Sequence, residues 1–296
     1  MRRWWLWVAF VLPLGIAAEA AACGTCAVGD PTLTIVGFEQ PAAHRVRTSL
    51  TMRHRQDRIG DPEVDEMLLS EQRLEIAAAY SPTDRWVISV MMPVVHRLVT
   101  EVNLAESDIW APGDLDLRAR AVVYRDRKFA PRHLLAVTGG LELPTSSVET
   151  DANGDELPLE FQAGSRSWDP IAGVSYIFFS NPWSVFVSST AIFPTEGTAE
   201  STAGISFRQS ANAQYQPLDF LGFRLGAEFR VDQPTMVAGE RDPNSGGHIT
   251  YANLGVIALP HPKVLLHITA SIPVVQRLDG FHEESLAVAG GLVYDI

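Results

Sequence analysis

Residues 114–144, DLDLRARAVVYRDRKFAPRHLLAVTGGLELP, decide how this chain folds. Leu115, Leu117, Ala119, Ala121 and Val123 occupy every second position, with Asp116, Arg118, Arg120 and Val122 between them. After the polar connection of residues 125–132, Leu135, Val137, Leu141 and Leu143 share one parity; Thr138, Glu142 and two glycines fall among the other positions. Side chains alternate across a strand, so a strict period of two describes a strand with one apolar and one polar face. Two such runs joined by a short turn make a hairpin. Each is about ten residues long, which is also the length that crosses a bilayer when a strand is tilted.

Working outward, the same alternation recurs at residues 45–55, 71–80, 86–99, 169–179, 183–193, 204–215, 220–231, 249–259, 264–275 and 285–296. The clearest is 220–231, where Leu221, Phe223, Leu225, Ala227, Phe229 and Val231 alternate with Gly222, Arg224, Gly226, Glu228 and Arg230. Together with the opening hairpin this gives about twelve strands. The connections alternate long and short along the chain. Short ones fall at 81–84, 125–132, 180–182, 216–219 and 260–263, and long ones at 56–70, 100–113, 145–167 and 232–248. Short periplasmic turns opposite long extracellular loops mark a transmembrane antiparallel up-and-down β-barrel of the outer-membrane kind. The expected fold class is therefore all-β. Pro93 lacks a ladder donor and predicts a bulge or strand end near it. Tyr80 and Trp86, Tyr124 and Phe129, Phe179 and Trp183, and Tyr215 and Phe220 flank four of the short turns, as an interfacial aromatic girdle does. The fifth short turn lacks such a pair.

The N-terminus reads as an export signal. Met1-Arg2-Arg3 precedes an apolar run from Trp4 to about Ala18 and then Ala20-Ala21-Ala22, the pattern of a secretory signal peptide cut after Ala22. The run falls short of the ~20 residues of a membrane helix. Residues 1–22 are thus expected to be a signal peptide, 23–44 a periplasmic segment and 45–296 the barrel, located in a bacterial outer membrane. Cleavage leaves a net charge of about −13 and no basic stripe, which excludes nucleic acid as a partner. The two cysteines, Cys23 and Cys26, stand as Cys-Gly-Thr-Cys at the mature start. A small-loop disulfide, a lipid on Cys23, and metal or redox chemistry are all open readings; a structural zinc needs four ligands, and the next candidate, His44, is distant.

Alternation assigns Arg47, Arg53, Arg73, Glu75, Arg118, Arg120, Glu142, Arg224, Glu228 and Arg230 to the lumen face. Arginine facing lipid near the midplane costs about 2–4 kcal/mol, so these charges belong inside. They read either as a path for a small solute or as a salt-bridged interior that stiffens a narrow barrel. Asp151-Ala152-Asn153-Gly154-Asp155-Glu156 resembles the start of a calcium loop, but Glu156 stands where glycine is required and Gln162 where the bidentate glutamate belongs, so no metal site is expected. A lipid hydrolase would need a histidine and a serine at the lipid face. His133, His267, Ser189 and Ser271 lie in strands, without a His-x-Ser-Asn arrangement. The expectation is no enzyme and no cofactor. A non-conducting binding or structural barrel is the other reading, and a soluble periplasmic ligand-binding barrel is the alternative fold. Leu286, Val288, Gly290, Leu292, Tyr294 and Ile296 alternate to the last residue, the form in which barrel-assembly machinery reads a C-terminal strand, with Ile296 in place of the usual phenylalanine.

Several segments resemble a family of bacterial outer-membrane transporters linked by name to the MetA pathway of phenol degradation. They are Pro112-Gly113-Asp114-Leu115 entering the alternating Arg/Ala strand, Leu141-Glu142-Leu143-Pro144-Thr145 leaving the next, Ala163-Gly164-Ser165 with Trp168-Asp169-Pro170-Ile171-Ala172-Gly173, and Gly291-Leu292-Val293-Tyr294. The resemblance covers roughly residues 45–296 and rests on order and spacing. It implies an outer-membrane barrel, contact with lipid, and passage of small compounds, hydrophobic or aromatic ones among them. It supplies no catalytic residue.

Overall fold

The structure is a computed structural model that describes residues 43–296 except 63, 151–153, 155, 157 and 158. The signal segment, Cys23, Cys26 and most of the acidic stretch 151–156 lie outside the described residues. Twelve long strands carry the fold. They are β1 (Arg45–Ile59), β2 (Met67–Ser81), β3 (Trp86–Glu101), β4 (Leu115–Arg125), β5 (His133–Leu143), β6 (Asp169–Ser180), β7 (Trp183–Ile192), β8 (Ser206–Leu218), β9 (Leu221–Asp232), β10 (Gly247–His261), β11 (Val264–Leu278) and β12 (Ala287–Asp295). Each pairs antiparallel with its neighbour in the chain, and β1 pairs with both β2 and β12, closing the ring. Closure leaves no strand edge to satisfy in a medium without water.

The faces sort as alternation demands. On β4, Asp116, Arg118 and Arg120 are buried inside, while Leu117 and Val123 are exposed outside. Across the closing seam Leu50 pairs with Leu292 and Thr48 with Tyr294, with Leu50, Leu292 and Tyr294 all exposed. Two extremes measure the contrast on β9: Leu225 is 62% exposed and Arg230 is 0% exposed. An outer face this apolar on every strand rules out the soluble-barrel alternative on the solvation cost of so much apolar surface.

Four expectations meet a different or more specific outcome. The strand end expected near Pro93 lies in the partner, while β3 itself runs on to Glu101. β3 changes partner there: residues 86–91 pair with β4, and residues 94–100 pair with a separate strand, Glu106–Pro112. A residue's N–H and C=O point to the same side of a strand. Gly113 donates to the Pro93 carbonyl at 2.9 Å, so the donor that proline lacks falls at the break between the two partners. Second, the expected loop at 100–113 is therefore mostly strand, extending the barrel wall outward. Third, Phe179 is no girdle residue. It packs inside against Val122, Leu134, Ala136, Ile177 and Phe186, an apolar cluster on the inner wall of β4 to β7 near the short turns. Tyr80, Trp86, Tyr124, Phe129, Trp183, Tyr215 and Phe220 are exposed as expected. Fourth, the polar loop of residues 145–167 folds inward. Phe161 joins Leu69, Val99 and Ile109, and Ala163 joins Val95 and Ala111.

Candidate functional site

All ten lumen residues expected from alternation lie on inward-facing strand positions, and seven of them are buried below a tenth of their surface. The structure brings most of them into ion pairs. Arg53 Nη2 lies 2.9 Å from Glu75 Oε1, and Arg73 Nε approaches the same oxygen at 3.5 Å. Arg118 closes on Asp116 at 2.7 Å and Arg47 on Asp295 at 2.7 Å. Arg230 holds Asp232 at 2.6 Å and also bonds Glu284. Glu284 accepts from the Tyr251 hydroxyl as well. Arg120, Glu142, Arg224 and Glu228 share the same inner face.

Alternation could not reveal how far this network reaches. At the outer end a chain of charge runs from Arg97 to Glu71 (2.7 Å), Glu71 to Arg55 (3.3 Å) and Arg55 to Asp57 (3.2 Å). Asp57 then sits directly opposite Glu284 in register, beside Arg230. Charged residues of β3, β2, β1 and β9 thus gather in one buried cluster with Glu284, which lies just before β12, where Arg55 and Arg230 offset the like charges of Asp57 and Glu284. Beside this cluster, Arg118 on β4, Ser188 on β7, Arg208 on β8 and Glu228 on β9 line a cavity of about 20 Å³, and Arg208 pairs in register with Arg230. That is room for about one water.

The inward loop is fixed by two carboxylates. Asp114 accepts from the backbone N–H of Ser146 and of Arg166, both at 2.9 Å, and Asp169 accepts from Ser167 Oγ at 2.5 Å. A side chain at Gly164 would come within 2.4 Å of the Asp114 carboxylate, which is why glycine stands there. Two segments of the resemblance, 112–115 and 163–165, therefore meet in space. Arg97 adds a hydrogen bond to the Gln162 carbonyl at 2.5 Å, tying the loop to the ionic chain.

At the short-turn end, Asp126 accepts from the backbone N–H of Arg132 and His133 at 2.8 and 3.0 Å. Those bonds, that to His133 first, hold its carboxyl below the ordinary value of 3.8. Asp84 is lowered likewise by its bond from Arg125. The hydrolase constellation is not assembled. His133 faces outward and bonds the Tyr176 hydroxyl at 2.7 Å, whereas His267 faces inward and its Nε2 has no partner. No group of three or more metal-binding side chains converges among the described residues. No helix among them is long and apolar enough to cross a membrane.

A closed twelve-strand antiparallel ring, apolar outside and charged within, is an outer-membrane β-barrel. The chain matches no protein-family model, and no curated sequence is significantly similar to it. Among solved structures it is similar to the COG4313 outer membrane channel of Pseudomonas putida F1. That match has a TM-score of 0.68 and 15% identity, covering 88% of this chain and 98% of that one. The β domain of the Bordetella autotransporter BrkA follows at TM-score 0.51 and 10% identity, covering 86% and 100%. The P. putida toluene transporter TodX reaches 0.49 at 9% identity, covering 86% and 90%. The first two of these likenesses extend to the fold.

Proposed function

We propose that the protein is a channel that lets a small solute cross the outer membrane through the barrel lumen, along the face that carries Arg53, Arg73, Arg118, Arg120, Arg224 and Arg230. The observation that carries this reading is the two-faced ring. The outer face can be solvated only by lipid, and the inner face carries the arginines and carboxylates named above. The resemblance in the sequence extends the reading to hydrophobic or aromatic solutes, and an arginine-bearing lumen suits those with an anionic group. Assembly through β12 by the barrel-assembly machinery belongs to the same proposal. The test is efflux of benzoate from vesicles containing the refolded barrel. Release faster than from protein-free vesicles supports the channel.

A second reading, a non-conducting structural or binding barrel, is favoured by the ion-paired interior. Efflux at the protein-free rate from a demonstrably inserted barrel would establish it.

A further inference from the structure

The lipid-facing wall is not uniformly convex. Across β7 to β12 it holds a groove of about 630 Å³ whose lining is almost wholly apolar. Two outward rows, followed through the strand registers, build it. One row runs Trp183, Tyr215, Phe223, Val256 and Ile268, and the other runs Ala213, Leu225, Leu254, Ala270 and Val288. Large side chains of both rows form the banks, and the paired residues Arg224 and Gly255, which lie between the rows, supply a floor; Ala213 and Ala270, on either side of Leu225 and Leu254, leave the second bank low at two points.

The groove has a direction. Trp183 opens β7 directly after a short turn, and Tyr215 pairs with it at a ring separation of 4.6 Å. Amphipathic aromatic pairs of this kind sit at the depth of headgroups and ester linkages. From that interfacial end the rows enter the apolar band, where Leu225, Leu254 and Ile268 are exposed. A slot that starts at the periplasmic interface and continues into the hydrocarbon layer matches one occupant, a phospholipid of the periplasmic leaflet.

We infer that this groove is a phospholipid-binding site, with one acyl chain seated between the two rows and the Trp183–Tyr215 pair at its ester end. The seat is separate from the lumen and does not depend on whether the barrel conducts.

The test uses the full chain refolded into equimolar phosphatidylethanolamine and phosphatidylglycerol vesicles, extracted in mild detergent and weighed by native mass spectrometry. Wild type should retain one phospholipid. Ala270→Trp, which fills the seat, should lower the retained fraction at least about tenfold. Ala119→Trp, outward on β4 across the barrel, should leave it unchanged. Should Ala270→Trp fail to fold, Ala213→Leu serves as the filling variant. Quenching of wild-type fluorescence by bromine-labelled acyl chains, reduced in Trp183→Phe, gives a second readout. Equal retention in the Ala119 and groove variants, no retained phospholipid in wild type, or retention of an added apolar solute in its place would each overturn the proposal.

Discussion

Neighbouring residues of β9 do opposite jobs. Arg224 projects inward, and Leu225 is 62% exposed to what the outward band identifies as lipid. Leu225→Arg should therefore cost about 2–4 kcal/mol, the penalty for an arginine near the bilayer midplane. Arg224→Leu should fold into vesicles with a stability close to wild type. Guanidinium titration of both variants in vesicles checks this, and equal effects would refute the face assignment. Asp126 carries a pH dependence. A carboxyl lowered in the folded state stabilises above its ordinary value of 3.8 and ceases to as pH falls through the lowered value. Hydrogen-exchange protection of the Arg132 and His133 amides should hold from neutral pH down to about 4 and decay below it. In Asp126→Ala it should be weak throughout; an acid-insensitive wild type would contradict the role given to this carboxylate.

Strand by strand, the ring closes where β12 meets β1, and the two glycines there are not equivalent. A side chain at Gly291 would lie 2.6 Å from the Leu50 carbonyl and 2.7 Å from both His267 Nε2 and Thr51 Oγ1, whereas one at Gly290 meets nothing nearer than 3.6 Å. Gly291→Val should destabilise the seam by about 1–3 kcal/mol through overpacking. Gly290→Ala should be neutral, and thermal unfolding followed by gel mobility separates the two. The twelve strands were legible because every one alternates, and Leu115 to Val123 alone fixed the parity of its inner face. What escaped had weaker local signals. Ile109 and Ala111 alternate inward, but Glu106, Asp108 and Pro112 give that strand the composition of a loop. Leu159, Phe161 and Ala163 also alternate and are buried, the one clue that the loop before β6 turns inward. Phe179 fits a girdle by sequence position and misses it by parity, one residue from the outward Phe178. The ion pairs were beyond reach, since Arg230 meets Glu284 54 positions away only because the ring closes.

For the whole molecule, the arginines matter as a network. Arg230, Glu284, Asp57, Arg55, Glu71 and Arg97 occupy the outer half of the lumen, and Arg208 beside the small cavity pairs in register with Arg230. Removing one buried charge strands its partners, at about 3–5 kcal/mol, so the informative variant neutralises Arg230 and both carboxylates it holds. Arg230→Gln combined with Asp232→Asn and Glu284→Gln should keep the barrel folded and widen its outer half. The most direct test of a conducting lumen is single-channel recording of wild type and this triple variant in a planar bilayer. A channel gives stepwise conductance in wild type, larger in the triple variant, with an ion selectivity that reports which inner charges dominate. Insertion of both proteins with no conductance from either would contradict a solute path through this lumen.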